Sequence, residues 1–349
     1  MAGLLGRRPR GGAGPGAARR VATAPSRTRS LSMESRPYLL HALSPLHVGT
    51  GQSVGVIDLP LARLKATGIP FVPGSSLKGV LRELRRPREE TGDARGLHDA
   101  VFGPRRAKAG PEGDEPGDYA GALVVGDARL LALPVRSFVG TFALVTSPML
   151  LALARRDLGG LSGKEGAWPK VEPLAQRGAR VASLRDSAVV YGAGTSEACV
   201  YLEDLDLQVA SKDDAALGAW AQGLAGLLPE AERALLTKRL VLVDDETMSF
   251  LWETATQVDT RVSMDPETGT AAKGQLWTEE SLPAETLLVG VMGATGTFNK
   301  APRKLAADAV LDAAFGGEGT VLQLGGKATV GRGRCRLLAW MAPDARGGR

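Results

Sequence analysis

The chain has 349 residues, of which 44% are hydrophobic and 5% aromatic, so it can bury a core built mainly from Leu, Val and Ala. It contains no apolar run as long as a membrane span, and its two cysteines and three histidines match no disulfide or zinc pattern, which favours a cytosolic protein. The net charge of +5 arises at the N-terminus, since residues 1–36 carry +7 and the remainder −2. A globally basic nucleic-acid-binding domain is therefore excluded, and any RNA would need a local stripe of charge and backbone amides.

The first 36 residues differ in character from the rest of the chain. They are rich in Arg, Gly, Ala, Ser and Pro and lack periodicity, so they cannot bury enough apolar surface to fold. We interpret residues 1–36 as a basic, disordered extension outside a single domain of residues 37–349. There are two alternative interpretations. The segment could be a transit peptide, or Met33 could be the true start of the protein and the preceding residues the result of a wrongly assigned upstream start.

The first half of the domain begins with a predicted strand, PYLLHALSPL, and a short extended segment, GVIDLPLARL. A helix follows in SSLKGVLRELRR, with Ser75 or Ser76 as its N-cap. Residues 86–121 are charged and rich in Gly and Pro, which predicts a loop insertion. Strand patterns in GALVVGDARLLAL and TFALVTS then lead to a helix, PMLLALARRDL, opened by proline. The residues expected on the apolar face of the first helix are Leu77, Val80, Leu81 and Leu84.

In the second half, DAALGAWAQGLAGLLPEAERALLTK has helical spacing, and we interpret residues 150–235 as a helical insertion. A strand in RLVLV precedes a long hairpin over residues 253–283, with DPETG as its turn. A strand in AETLLVGVMG, a helix in APRKLAADAVLDAAFG and a glycine-rich turn before a final strand complete the chain. The alternation of strands and helices predicts an α+β domain of ferredoxin-like topology.

Several segments carry a family resemblance when they are taken in order. They are HVGTGQSVGVIDLPLAR…PFVPGSSLKGVLRE, AVFGP, GALVVGDARLLALPVRSFVGTFALVTSPMLL, GQLWTEESLP and LQLGGKATVGRGRCRL, spread over residues 37–340. Together they resemble the RAMP superfamily of CRISPR proteins, and most closely the backbone-subunit family of type III-B (Cmr) effector complexes, the fourth Cmr subunit. The phrases VIDLP and PVRSF…TSP favour this family over its type III-A (Csm) counterpart, which is the alternative.

The resemblance implies an RRM-like (ferredoxin-like) palm with insertions and a protruding β-hairpin thumb. It implies a subunit that assembles in several copies, with other Cmr subunits, along a CRISPR guide RNA in the prokaryotic cytoplasm, away from any membrane. Complementary single-stranded target RNA would be cut at regular intervals by a metal-dependent endoribonuclease using Mg²⁺ or Mn²⁺, leaving 2′,3′-cyclic phosphate and 5′-hydroxyl ends. A purely architectural guide-binding subunit and a guide-processing ribonuclease of the same superfamily are the alternatives.

Four residues are candidates for catalysis. Judged alone, Asp58 beside Pro60 would be a structural aspartate that caps a local amide. The resemblance instead puts Asp58 at the cleavage position of the family, where a carboxylate could hold a divalent metal or take the proton of a 2′-hydroxyl. His47 fits a packed histidine and a general acid or RNA contact equally well. Glu279 and Glu280, at the base of the hairpin, could assist catalysis, although isolated glutamates are usually surface charges.

The PGSSLKG turn is a candidate guide-RNA contact. Free amides and the helix dipole favour an anion at a helix N-terminus, and Ser75, Ser76 and Lys78 could add donors there. Arg82 lies one turn after Lys78 and would extend the same positive stripe. An ordinary N-cap is the alternative interpretation.

The loop GGKATVGRGR is the second candidate RNA contact. Its glycines would let the backbone approach a phosphate, and Lys327, Arg332 and Arg334 supply positive charge. The loop could equally brace the palm beside PGSSLKG. For the thumb, the resemblance implies side chains that wedge into the guide–target duplex and displace a nucleotide, and the candidates are Val258, Val262 and Met264.

Overall fold

The structure is a computed structural model that describes residues 33–49, 57–88, 92–104, 119–162, 168–174, 180–298, 301–317 and 319–340. Most of the expected extension (1–36) and parts of the expected loop insertion (86–121) lie outside these described residues. Within the described part, no helix combines the length and apolar character needed to cross a membrane.

Helices and strands are interspersed along the described chain. The helices are α1 (Gly74–Leu84), α2 (Gly92–Phe102), α3 (Pro148–Ser162), α4 (Ala215–Ala225), α5 (Arg233–Arg239), α6 (Asp245–Thr254) and α7 (Ala307–Phe315). The strands are β1 (Glu34–Ala42), β2 (Phe71–Val72), β3 (Leu123–Val125), β4 (Ala128–Ser137), β5 (Thr141–Thr146), β6 (Arg180–Ala182), β7 (Cys199–Leu202), β8 (Leu205–Ser211), β9 (Leu240–Val243), β10 (Gln257–Met264), β11 (Ala271–Ser281), β12 (Leu287–Ala294), β13 (Thr320–Gln323) and β14 (Arg334–Ala339).

The first part of the sheet is antiparallel and follows the order β13-β14-β1-β12-β4. The short strands β3 and β2 add to β12 and β4 respectively. β1 lies between the two late strands β12 and β14, so the first strand of the domain is completed by residues close to its C-terminus.

The second part of the sheet closes into a ring of six strands, β4-β5-β9-β6-β8-β7, in which β7 returns to β4 through the pair Ser137 and Leu202. The pairs β5–β9 and β6–β8 are parallel, and the others are antiparallel. β4 belongs to both parts, because its first half pairs with β12 and its second half with β5. The α+β class is therefore confirmed.

Two segments differ from the sequence-based expectation. The region 150–235 is only partly helical, because alternating residues in CVYLEDLDLQVAS form β7 and β8 of the ring. Its long predicted helix is divided into α4 and α5 around Pro229, which cannot continue a helix interior. The expected loop at 86–121 contains α2, whose last turn is buried.

The apolar side chains form two cores, one on each face of β1. Tyr38 and Leu40 pack in the same core as Leu77 of α1, whereas Leu39 packs in the core that contains Trp220 of α4. This alternation follows from the two-residue period of a strand. The strand is buried on both faces, which explains its continuous apolar sequence.

Helix α1 begins differently from the sequence-based expectation. Its N-cap is Pro73 and not Ser75 or Ser76, and no side chain of the cap residue accepts a hydrogen bond. Instead the amide of Gly74 donates to Oδ1 of Asp127, 2.8 Å away, a carboxylate from the turn before β4. An acidic group therefore already lies at the positive end of this helix.

The apolar face of α1 is shorter than expected. Leu77 and Leu81 are fully buried, but Leu84 is 45% exposed because it is the last residue of the helix. The start of the helix approaches its neighbours closely, since a Cβ added to Gly74 would lie 2.2 Å from the carbonyl oxygen of Val125.

We expect Gly74→Ala to lower the free energy of unfolding by ~2 kcal/mol, because the new methyl group would overlap backbone that cannot move away easily. Gly79→Ala is the matched control in the same helix. A Cβ there would meet nothing within 4 Å, so this change should stabilise the protein by ~0.5–1 kcal/mol through helix propensity. Denaturant unfolding measures both variants, and equal stabilities would contradict the close contact.

Candidate functional site

Strands β10 and β11 form a two-stranded antiparallel hairpin at the position that the sequence predicted. It spans Gln257–Ser281, while residues 253–254 belong to α6. The turn is stabilised by Asp265, whose Oδ1 accepts hydrogen bonds from the amides of Glu267 and Thr268. Alternate residues of β10 are exposed, which gives the hairpin one face turned to solvent.

This solvent-facing side, which we call the apolar face, carries several large hydrophobic side chains. In β11, Leu276 lies directly opposite Val262, and Thr278 lies opposite Thr260. Directly paired residues of antiparallel strands share a face, so Thr278 lies on the apolar face as well. Its exposed hydrophobic residues are Val258, Val262, Met264 and Leu276.

Asp58 lies beside the base of this hairpin. The main chain around it runs along β11, where the Leu59 amide donates to the carbonyl of Thr278 at 3.1 Å and the Glu280 amide donates to the carbonyl of Leu59 at 3.0 Å. These bonds place the exposed Asp58 next to Thr278, at the edge of the apolar face. The preceding residues 50–56, which include most of the GTG segment, lie outside the described part.

The Asp58 carboxylate is held by Thr278. Its Oδ2 accepts hydrogen bonds from the amide of Thr278 at 2.8 Å and from Oγ1 of Thr278 at 3.0 Å. The Asp58 amide donates in return to the same Oγ1, also at 3.0 Å. These bonds hold the pKa of Asp58 below its ordinary value, so the group is ionised at neutral pH and is a poor proton acceptor.

Glu280 lies near the end of β11, at the base of the hairpin, and is buried, with 2% of its surface exposed. Its Oε1 accepts hydrogen bonds from Nη2 of Arg63 at 2.5 Å and from Oγ1 of Thr256 at 2.8 Å. Its Oε2 accepts one from the amide of Leu61 at 2.9 Å. The carboxylate thus joins the Asp58 segment, the end of α6 and the hairpin, and both of its oxygens are already engaged.

Glu279 is fully buried on the opposite face of β11. Its Oε1 accepts from Nζ of Lys327 at 2.7 Å and from Nε1 of Trp277 at 2.6 Å, and its Oε2 lies 3.6 Å from Nε of Arg261. Burial alone raises the pKa of Glu279, but the hydrogen bonds from Lys327 and Trp277 and the nearby positive charges outweigh it. The pKa therefore lies below its ordinary value.

The glycine-rich loop braces the hairpin through two of its three basic residues. Lys327 pairs with Glu279, and Arg332, which is 7% exposed, donates to Oγ of Ser281 at 2.8 Å and to Oδ2 of Asp259. Arg334 is exposed at the start of β14. The loop was expected to brace the palm beside PGSSLKG, whereas these two side chains contact the base of the hairpin.

His47 is buried between this loop and the hairpin. Its Nδ1 lies 2.6 Å from the carbonyl oxygen of Glu280, and because a carbonyl only accepts, Nδ1 carries the hydrogen. A Cβ at Gly325 would lie 2.0 Å from the carbonyl oxygen of His47, so the glycine permits this close approach. His47 therefore contacts the main chain of β11 and not the Asp58 carboxylate.

The candidate RNA contacts on α1 separate into two groups. Ser75 and Ser76 line an open groove between α1 and β13, with a cavity volume of about 690 Å³. Lys78 is half-buried and donates to the carbonyl of Leu123 at 2.7 Å, and burial, followed by the charge of Arg82, lowers its pKa. Arg82 lies 3.8 Å from Oδ1 of Asp99.

The described acidic side chains of this region do not form a multidentate metal site. Among the described residues, no group of three or more His, Cys, Asp or Glu side chains could hold an ion. Asp58 fits as the single protein ligand of Mg²⁺, because Thr278 engages Oδ2 alone and Mg²⁺ commonly takes its other ligands from substrate phosphates and water.

Comparison with known proteins yields consistent matches. The family model of the RAMP superfamily matches residues 39–336. The chain is 31% identical over 296 residues to the CRISPR system Cmr endoribonuclease Cmr4 of Pyrococcus furiosus, covering 84% of this chain and 92% of that protein. Crystalline oligomeric Cmr4 from Pyrococcus furiosus is 26% identical with a TM-score of 0.62, covering 89% and 100% of the two chains. A chain of the type III-B Cmr-beta complex bound to cognate target RNA has the same fold, with a TM-score of 0.61 at 21% identity and coverage of 88% and 97%.

The buried Glu279–Lys327 pair predicts a pH-dependent effect on stability. Because the folded-state pKa of Glu279 is lowered, the pair stabilises the protein above the unfolded pKa of about 4.3 and the contribution is lost as the pH falls through the folded pKa. We expect Lys327→Met to cost ~2 kcal/mol at pH 7, below the usual figure for a broken buried pair because Lys327 is 34% exposed.

The difference from the wild type should shrink below about pH 4, since a protonated Glu279 needs no cationic partner. Lys65→Met, at an exposed lysine, is the control and should change little at any pH. Denaturant unfolding at several pH values measures the effect, and a pH-independent loss for Lys327→Met would contradict the ion pair.

Proposed function

The chain belongs to the RAMP superfamily, as its motifs predicted, and we propose that it is the backbone subunit of a type III-B (Cmr) CRISPR effector complex. In this proposal, copies of the chain assemble with other Cmr subunits along a guide RNA in the prokaryotic cytoplasm. The complex binds complementary target RNA and cuts it. The identity to a curated Cmr endoribonuclease over most of both chains, together with the match to an oligomeric Cmr4 structure, supports this function.

We propose that the antiparallel part of the sheet with α1 and α7 serves as the RRM-like palm and that the β10–β11 hairpin serves as the thumb. The hydrophobic residues of the apolar face, Val258, Val262 and Met264, would separate or displace bases of the guide–target duplex. Apolar side chains that enter a base step unstack it, and this leaves the adjoining phosphodiester in an altered geometry.

The observation that carries the catalytic proposal is the exposed Asp58 carboxylate at the edge of the apolar face. An ionised acid does not grip a phosphate, but it can hold a divalent cation against one. A bound Mg²⁺ or Mn²⁺ would supply positive charge for the phosphate as the 2′-hydroxyl attacks it. The expected products are a 2′,3′-cyclic phosphate and a 5′-hydroxyl.

The other candidate residues would act at a distance from the reacting atoms. Inside the protein, His47 bonds to the main chain of Glu280, and the Glu280 carboxylate bonds to the main chain near Asp58. Glu279 pairs with Lys327 of the glycine-rich loop. We propose that these contacts keep the hairpin in place beside Asp58. Lys327 and Arg332 would contribute chiefly through the same bracing.

RNA phosphates would be contacted by the exposed members of the candidate set. These are Ser75 at the α1 groove and Arg334 at the start of β14, and the partly buried Ser76 lines the same groove. Lys78 and Arg82 would add positive potential near the groove, although their side chains are turned toward β3 and α2.

We expect Asp58→Asn to abolish the ladder of evenly spaced cuts, with a loss of ~10²-fold or more in rate, because the amide keeps the shape but not the charge of the carboxylate. Guide and target RNA should bind as before. The measurement is gel analysis of end-labelled target RNA with the reconstituted complex.

Asp206→Asn, at an exposed aspartate of β8, is the control for this experiment. An intact ladder from Asp58→Asn would favour the architectural alternative, in which the subunit binds the guide without cutting.

We expect Arg334→Glu to weaken guide-RNA binding irrespective of sequence and to lower the salt dependence of binding by about one phosphate contact. Arg136→Glu, at another exposed arginine (77%), is the control and should leave the salt slope unchanged. Filter binding over a range of salt concentrations measures both, and identical slopes for the two variants would remove Arg334 from the RNA surface.

A further inference from the structure

The geometry points to Thr278 as a positioning residue for the Asp58 carboxylate, an inference that rests on the cleavage proposed for Asp58. Thr278 holds Oδ2, so Oδ1 would be the oxygen that faces the RNA in this proposal. Without that restraint, an exposed aspartate would sample several rotamers, and its carboxylate would occupy the position needed for cleavage only part of the time.

The contacts between the two residues are reciprocal. The Thr278 hydroxyl donates to Oδ2 of Asp58 at 3.0 Å and accepts from the Asp58 amide at 3.0 Å, while the Thr278 amide donates to Oδ2 at 2.8 Å. A hydroxyl can serve as donor and acceptor at the same time, which valine cannot. Threonine also has a restricted χ1, so its hydroxyl is held where serine would have to be ordered.

The Thr278 side chain accepts one main-chain hydrogen bond of this segment, from the Asp58 amide, and the main-chain bonds of Leu59 and Leu61 do not involve it. The Leu59 amide bonds to the carbonyl of Thr278, and the carbonyl of Leu59 accepts from the amide of Glu280. The Leu61 amide donates to Oε2 of Glu280. These bonds persist in Thr278→Val, so this variant loosens the Asp58 carboxylate and amide and keeps the pairing of Leu59 and Leu61 with the hairpin.

Thr278 also ties the carboxylate to the hairpin. It sits in β11 opposite Thr260, on the apolar face that is proposed to meet the duplex. Asp58 is therefore positioned by the same strand that carries Leu276, and a shift of the hairpin would move both together.

The experiment compares five variants in the reconstituted complex with guide RNA. We expect Thr278→Val to lower the single-turnover cleavage rate roughly 10-fold, because a small displacement of a reacting group is costly. Affinity for target RNA and the melting temperature should stay at wild-type values. Thr278→Ser should recover most of the rate, since it restores the hydroxyl.

Thr237→Val, in α5, is the matched control, being the same change outside the hairpin and the α1 groove, and it should cleave like the wild type. Asp58→Asn sets the inactive baseline, and adding Thr278→Val to it should cause no further loss because the two residues act as a unit.

Several outcomes would overturn the inference. Wild-type cleavage by Thr278→Val, equal losses in Thr278→Val and Thr237→Val, no recovery by Thr278→Ser, or a parallel fall in RNA affinity or melting temperature would each do so. If Asp58→Asn is inactive while Thr278→Val is unaffected, this inference alone fails. If Asp58→Asn cleaves normally, the catalytic proposal fails as well.

Discussion

The ion pair between Arg63 and the buried Glu280 is the interaction on which the arrangement of the site depends. Glu280 lies at the base of the hairpin, and its two oxygens bind Arg63, Thr256 and the main chain beside Asp58. A buried carboxylate without such partners would be strongly unfavourable, so each partner is required by the others. The network brings together residues that are 219 positions apart in sequence, and it sets the distance between the apolar face and the exposed acid.

A second set of ion pairs on the opposite face of β11 completes the support. Glu279 with Lys327 and Asp259 with Arg332 attach the glycine-rich loop to the hairpin. Consecutive glutamates therefore point to opposite faces and serve two separate networks, as the two-residue period of a strand requires. Charges that would suit a polyanion are used internally, and the solvent-facing side of the hairpin is left hydrophobic.

Local pattern was sufficient to predict much of this architecture but not its long-range contacts. The hairpin followed from alternation and its DPETG turn, and α7 from its helical spacing and closing glycine. The predicted N-cap of α1 was wrong because the first amide of the helix donates to Asp127, which lies 53 residues away and leaves no local signal. Thr278 was missed for the same reason, since its contact with Asp58 joins positions 220 apart. The sequence motifs made Asp58 a candidate, but only the register of β11 reveals what holds its carboxylate.

The position of β1 has a consequence for how the chain folds during synthesis. Its two neighbours, Leu287–Ala294 and Arg334–Ala339, leave the ribosome long after it. The apolar residues of β1 consequently stay without these two strand partners until both later segments have been synthesised. Such late, non-local pairing slows folding and exposes strand edges to aggregation, so the nascent chain is expected to depend on holding chaperones.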